Sequence, residues 1–293
     1  MFFHRQELQH KATPDAPDAV YARKLQEVLG GQYGEITVAL QYQFQAWNMH
    51  IPGKYRDLVF GIGAEEMGHV EMLAIMIAQL LEKAPLGITD DAVQDDPTVA
   101  AIVGGTDVQQ AIVAGAGARP VDSNGNPWQG SYITGSGNLL ADFTANANAE
   151  MQGRVQVARL YHMTDDHGVR DLLAFLLARD TMHQNQWIAA AAELREEGAE
   201  DLPVPSNFPL SKEDRDVSYQ YLNFSDGPLA ADGTWASGPT PDGKGEFTYH
   251  DGPTSSAPMP PPTHPDARFY GTTELPNLVE KAAGGIQDAM RKE

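Results

Sequence analysis

The sequence predicts an all-α protein built on a four-helix bundle, with a long crossover and an extended, irregular C-terminal tail. Three observations point there. Four long segments carry apolar residues that step by three and four, the spacing of a helix with one inward face. Two of these segments precede, and two follow, a stretch over 86–134 that holds Asp, Gly, Pro and Ser without sustained periodicity. Beyond Gly198 the composition turns to prolines and scattered aromatics.

Residues 1–16 read as an irregular lead-in, and a short helix near 17–29 stops at Gly30-Gly31. The first bundle helix covers 32–49. Its inward stripe is Glu35, Val38, Tyr42 and Gln45 or Ala46, and Pro52-Gly53 breaks it. The second covers 54–83, with the stripe Ile62, Glu66, His69, Leu73, Met76 and Leu80. In the crossover, short helical turns fit near 89–104 and 107–114, and DSNGNPWQG is loop chemistry. The third bundle helix spans 136–164, with the stripe Phe143, Ala147, Glu150, Arg154, Val157 and Tyr161. The fourth spans 167–197, with Leu176, Asp180, His183, Trp187 and Ala190. Four long helices with this crossover form a ferritin-like bundle. The expected domains are therefore 1–198, the bundle, and 199–293, a tail packed on the bundle or on a neighbouring subunit. The tail includes a strand-like Glu246-Phe-Thr-Tyr, a proline run at 259–262 and a short helix near 275–290.

Bulk properties exclude several function classes. Forty acidic residues against 20 basic ones give a net charge of −20, which argues against nucleic acid and anionic lipid as partners. With no cysteine there is no disulfide, thiolate zinc site, iron–sulfur cluster or cysteine nucleophile. No run of apolar residues is long enough to span a membrane, and the N-terminus lacks a secretory pattern, so the expected location is cytoplasmic.

The chemistry lies in ionisable residues on the inward stripes. Glu35, the Glu66/His69 pair, Glu150 and the Asp180/His183 pair each come from a different long helix. An i, i+3 pair shares one helix face, so both members reach a common centre. Buried carboxylates repel unless cations lie between them. The bundle core would then hold two metals, one at His69 and one at His183, with Glu66 between them. Oxygen and imidazole donors without thiolate favour manganese or iron. Glu65, next to Glu66, turns about 100° away and is expected in solvent. Arg154 on the stripe needs an anionic partner, a metal-bound carboxylate or Asp180. Tyr42 is placed to donate a hydrogen bond to a ligand carboxylate.

These residues carry a resemblance to a family. VYARKLQEVLGGQYGEITVALQYQFQAW, then KYRDL, AEEMGHVEMLA, Glu150, RDTMHQ and YLNFSDG, resemble the non-haem manganese catalases. The resemblance implies disproportionation of hydrogen peroxide to water and dioxygen at a dimanganese centre. It implies Glu35, Glu66, His69, Glu150 and His183 as ligands, with Glu66 bridging. Asp180, one methylene shorter than a glutamate, is expected to hydrogen-bond outside the ligand set, as the resemblance also implies, and either Asp180 or Glu66 is expected to help bridging oxygens take and give protons. Some members carry an Arg directly before the glutamate that matches Glu150; here it is Ala149, and Arg154 is the candidate replacement. Some members also bind calcium near a subunit contact, for which Asp57, Asn223, Ser225 and Gly227 match while Gly61 replaces an acid. Self-association as a homohexamer is a further implication. A di-iron oxidase or ferroxidase on the same bundle, and a non-catalytic coat or metal-storage protein, are the alternative readings.

Overall fold

The computed structural model describes residues 5–50, 53–82, 112–198, 212, 215–224, 228–241, 243–252, 258 and 260. The helical turns expected at 89–104, most of those at 107–114, most of the proline run at 259–262 and the closing helix near 275–290 lie outside the described residues, as do Ser225 and Gly227. The chain divides into two compact units, Met1–Glu213 and Asp214–Glu293.

Among the described residues of the first unit, five α-helices follow one another: α1 (Ala19–Gly30), α2 (Glu35–Trp47), α3 (Lys54–Leu81), α4 (Leu139–Tyr161) and α5 (His167–Glu196). Residues 5–18 precede them without regular structure. Local chemistry sets the starts. Asp18, Asn138 and Asp166 each turn a side-chain oxygen back onto the third backbone N–H that follows, capping α1, α4 and α5. Gly53, at φ 106°, lets the chain turn sharply into α3.

Helix α2 packs along α3 and α4 along α5, and the two pairs meet to form the bundle. Two apolar clusters fill it. One is built on Leu25, Leu73, Met76, Val157, Leu172 and Leu176. The other is built on Val38, Val59, Ile62, Phe143, Trp187 and Ala190. Along α3, one cluster ends at Ile62 and the other begins at Met72; along α5, one ends at Leu176 and the other begins at Trp187. A polar layer lies between. Each buried aliphatic or aromatic side chain contributes about 1.5–3 kcal/mol, so the two apolar clusters can offset a charged layer that would not form alone.

The described part of the crossover, from 112, is tied to α1 and α2 by side chains. Gln26 donates to the carbonyls of Arg119 and Val121, and Trp128 Nε1 donates to Thr37. The Thr134 amide donates to Gln41 while its carbonyl accepts from Gln45. Gly30 lies so close to this segment that a Cβ there would come within 2.4 Å of the Val121 oxygen.

The second unit is not wholly irregular. A short helix α6 (Arg215–Ser218) leads into β1 (Gln220–Asn223), which pairs in parallel with β3 (Glu246–Asp251). The two-residue β2 (Gly238–Pro239) pairs with β3 in antiparallel fashion, giving the order β1-β3-β2. The helical expectation holds for the first unit, and the strand-like Glu246-Phe-Thr-Tyr lies in β3, but the small sheet corrects the expectation that the rest of the tail is irregular. Tyr221 and Tyr249 face each other across β1 and β3, and such aromatic pairs favour a strand over coil.

Candidate metal centre

The polar layer is supplied by four helices. Glu35 opens α2, Glu66 and His69 sit mid-α3, Glu150 sits mid-α4, and Asp180 and His183 sit mid-α5. All six are buried. The structure brings the five expected ligands together in two groups, Glu35–Glu66–His69 and Glu66–Glu150–His183. Glu66 belongs to both. Its Oε2 lies 2.8 Å from His69 Nδ1, and its Oε1 lies 2.5 Å from His183 Nδ1. Glu35 Oε2 approaches His69 Nδ1 to 3.5 Å. The two imidazoles lie nearly parallel, with centroids 5.6 Å apart.

Both oxygens of Glu66 and both Nδ1 atoms are buried without a hydrogen-bond partner, despite these short separations. Orphaned buried acceptors are costly. Here they converge, and a cation of the carboxylate- and imidazole-binding class satisfies them together. The donor set fits two such ions.

Electrostatics agrees. Burial, and then the charge of Glu66, push the Glu35 carboxyl up to about 7. Burial raises Glu150 well above its ordinary value, with Glu66 and Asp180 adding to it. Burial likewise raises Asp180, helped by Glu35 and Glu66. Glu66 behaves in the opposite way. Burial opposes its charge, but His69 and His183 outweigh this and hold its carboxyl below the usual range. Crowded, buried carboxyls thus hold on to their protons at Glu35, Glu150 and Asp180, and added positive charge between them would relieve that repulsion.

The surrounding residues divide into those the sequence anticipated and those it did not. Tyr42 is fully buried, and its hydroxyl donates to Glu150 Oε1 at 2.5 Å, as expected. Trp187 Nε1 donates to the same oxygen at 3.2 Å. Asp180 lies outside both ligand groups, with Oδ1 4.0 Å from His69 Nδ1 and without a hydrogen-bond partner.

Arg154 departs from expectation. Its guanidinium donates to Gln184 Oε1 at 2.5 Å and lies 3.7 Å from the Met151 sulfur, with no ion pair to a ligand carboxylate. Four residues rotate a helix by about 400°, so Arg154 points about 40° aside from Glu150, toward the seam with α5. Its charge still reaches Asp180 through space.

Glu65 also departs from expectation. It is not in open solvent; its side chain is 20% exposed and bonded to Arg179, Gln9 and His183. Helix α5 brings Arg179 and His183 round to the side of α3 where Glu65 emerges. Of the residues expected for calcium, Asp57 lies in the first turn of α3. Asn223 ends β1, and its amide lies 3.4 Å from Asp251.

Comparison with known proteins extends the geometry. The family described as manganese containing catalase matches residues 1–282. A manganese catalase of Bacillus subtilis is 55% identical over 249 residues, spanning 85% of this chain and 90% of that protein. A manganese catalase of Lactiplantibacillus plantarum is 42% identical over 272 residues, spanning 92% of this chain and 98% of that protein. Among solved structures, KatB, a manganese catalase from Anabaena, superposes with a TM-score of 0.64 at 27% identity, covering 86% of this chain and all of KatB.

Proposed function

Because this chain belongs to the family of manganese-containing catalases, we propose that its buried cluster binds two manganese ions and that the protein converts hydrogen peroxide to water and dioxygen. The observation that carries the reading is the pair of three-residue groups sharing Glu66. Glu35 and His69 would hold one ion, Glu150 and His183 the other, and Glu66 both. When bound, such a pair supplies two one-electron changes, which match the two-electron oxidation of one peroxide and reduction of the next.

The chain's own residues hold, orient and exclude. Tyr42 and Trp187 fix Glu150 by donating to one of its oxygens. Asp180, buried and without a hydrogen-bond partner at Oδ1, takes up and returns protons next to His69, with Glu66 as the other candidate. Arg154, held by Gln184, places a positive charge at the edge of α4 and α5 and stands in for the Arg that Ala149 replaces. The apolar clusters on both sides keep bulky reductants away. Among the described residues no helix is long and apolar enough to cross a membrane. We extend the reading to a cytoplasmic homohexamer with two manganese ions per subunit, with residues 199–293 packing on the bundle or on neighbouring subunits.

Oxygen evolution from peroxide by manganese-loaded protein tests this. Glu66→Ala and His183→Ala should each lower it by about a hundredfold or more. Full activity in either variant, or turnover only with ferrous iron and consumption of dioxygen, would overturn it.

A further inference from the structure

We propose that Glu65 is the positioning residue that orients both metal-facing imidazoles from their outer edge, and that Arg179 and Gln9 hold Glu65 for that task. This inference rests on the manganese reading above and deepens it.

A neutral imidazole has one N–H and one lone pair. His69 and His183 both turn Nδ1 toward Glu66, so the lone pair needed by a metal sits at Nδ1 and the proton must sit at Nε2. A buried N–H at Nε2 requires an acceptor. For His183 that acceptor is Glu65 Oε2, 3.1 Å away. His69 Nε2 is fully buried and has no hydrogen-bond partner; Glu65 Oε1 lies 3.8 Å from it. One carboxylate thus stands at the outer edge of two nearly parallel rings from two different helices.

Glu65 is itself fixed. Arg179 grips it with two donors, Nε to Oε1 at 2.5 Å and Nη2 to Oε2 at 3.1 Å. This bidentate fork keeps Glu65 ionised and sets its plane. Gln9, from the segment before α1, donates to Oε1 at 2.6 Å. Glu65 also lines a surface cleft of about 770 Å³ together with Leu8, Gln9, Met67 and Glu71. It meets the two histidines at Nε2, whereas Glu66 meets them at Nδ1. Glutamine in its place has the same shape but only one acceptor oxygen, and its NH₂ would face a donor. His183 then loses its acceptor and His69 the charge at its outer edge, or the Arg179 grip is broken.

The test is a manganese titration of the metal-free full-length chain against a competing chelator, for wild type, Glu65→Gln and Glu65→Ala, with EPR of each partly loaded sample. Thermal unfolding of the metal-free forms serves as the control for folding. Wild type should bind two ions. Glu65→Gln should weaken at least one by about 10- to 100-fold and show the signal of isolated Mn(II) where wild type shows a spin-coupled pair. Glu65→Ala should weaken both. Wild-type affinity and coupling in both variants would overturn the proposal while leaving the manganese reading intact. Failure of wild type itself to bind two ions would overturn both.

Discussion

Tyr42 illustrates how much of the site rests on single atoms. Its ring packs on Trp187 with centroids 4.9 Å apart, and only its hydroxyl touches Glu150. Tyr42→Phe keeps the packing and removes one donor from a buried carboxylate, leaving Trp187 alone. We expect manganese affinity in the His183 half to fall about tenfold, read by chelator competition; unchanged affinity would show that Trp187 suffices. The inward residues were legible because a helix repeats its faces: Glu35, Tyr42, Glu66, His69, Glu150, Asp180 and His183 are all buried where the stripes put them. Glu65 was not legible. Its rotation away from the stripe of α3 says nothing about α5, which supplies Arg179 and His183 to that side. The available signal was its position four residues before His69, the spacing at which two helix side chains meet. Arg154 failed for a related reason. A step of four is not a whole number of turns, and at the edge of a helix pair the deviation decides which neighbour is met.

Elements are legible at their ends and opaque in their partners. Asp18, Asn138 and Asp166 cap where the sequence starts α1, α4 and α5 to within a few residues. The route of the crossover could not be read, because its anchors are long-range. Gln41, Gln45 and Asn146 form a buried amide cluster, with Gln41 Nε2 donating to Asn146 Oδ1 and Asn146 Nδ2 donating to Gln45 Oε1. Thr134 joins it from the crossover. Pattern alone cannot pair these groups. Likewise β1 and β3 pair in parallel across a span of sequence that periodicity does not link, although Glu246-Phe-Thr-Tyr reads as strand-like. At this scale Gly30 is the sharpest test. The Cβ of Gly30→Ala would meet backbone, not a flexible side chain, so α1 or the crossover must shift. We expect a loss of about 1–3 kcal/mol in denaturant unfolding of the metal-free protein. A neutral result would mean that the crossover is not fixed against α1.

For the whole molecule, charge balance is the organising constraint. Glu35, Glu66, Glu150 and Asp180 carry four negative charges when all are ionised, which two divalent cations match. Arg179 matches Glu65 separately. Without metal, Glu35 keeps its proton from its ordinary 4.5 up to about 7. A raised folded-state value means that this proton stabilises the metal-free protein below 4.5 and that the benefit is lost as pH rises through about 7. Metal must displace the same proton, so its apparent affinity rises with pH over that window.

The most direct test is calorimetric titration of metal-free protein with Mn(II) at several pH values, in buffers of different ionisation enthalpy so that proton release is counted. Two ions bound per chain, with protons released below about pH 7 and tighter binding as pH rises, is the predicted result. One ion or none, or binding without proton release below that pH, would contradict the account.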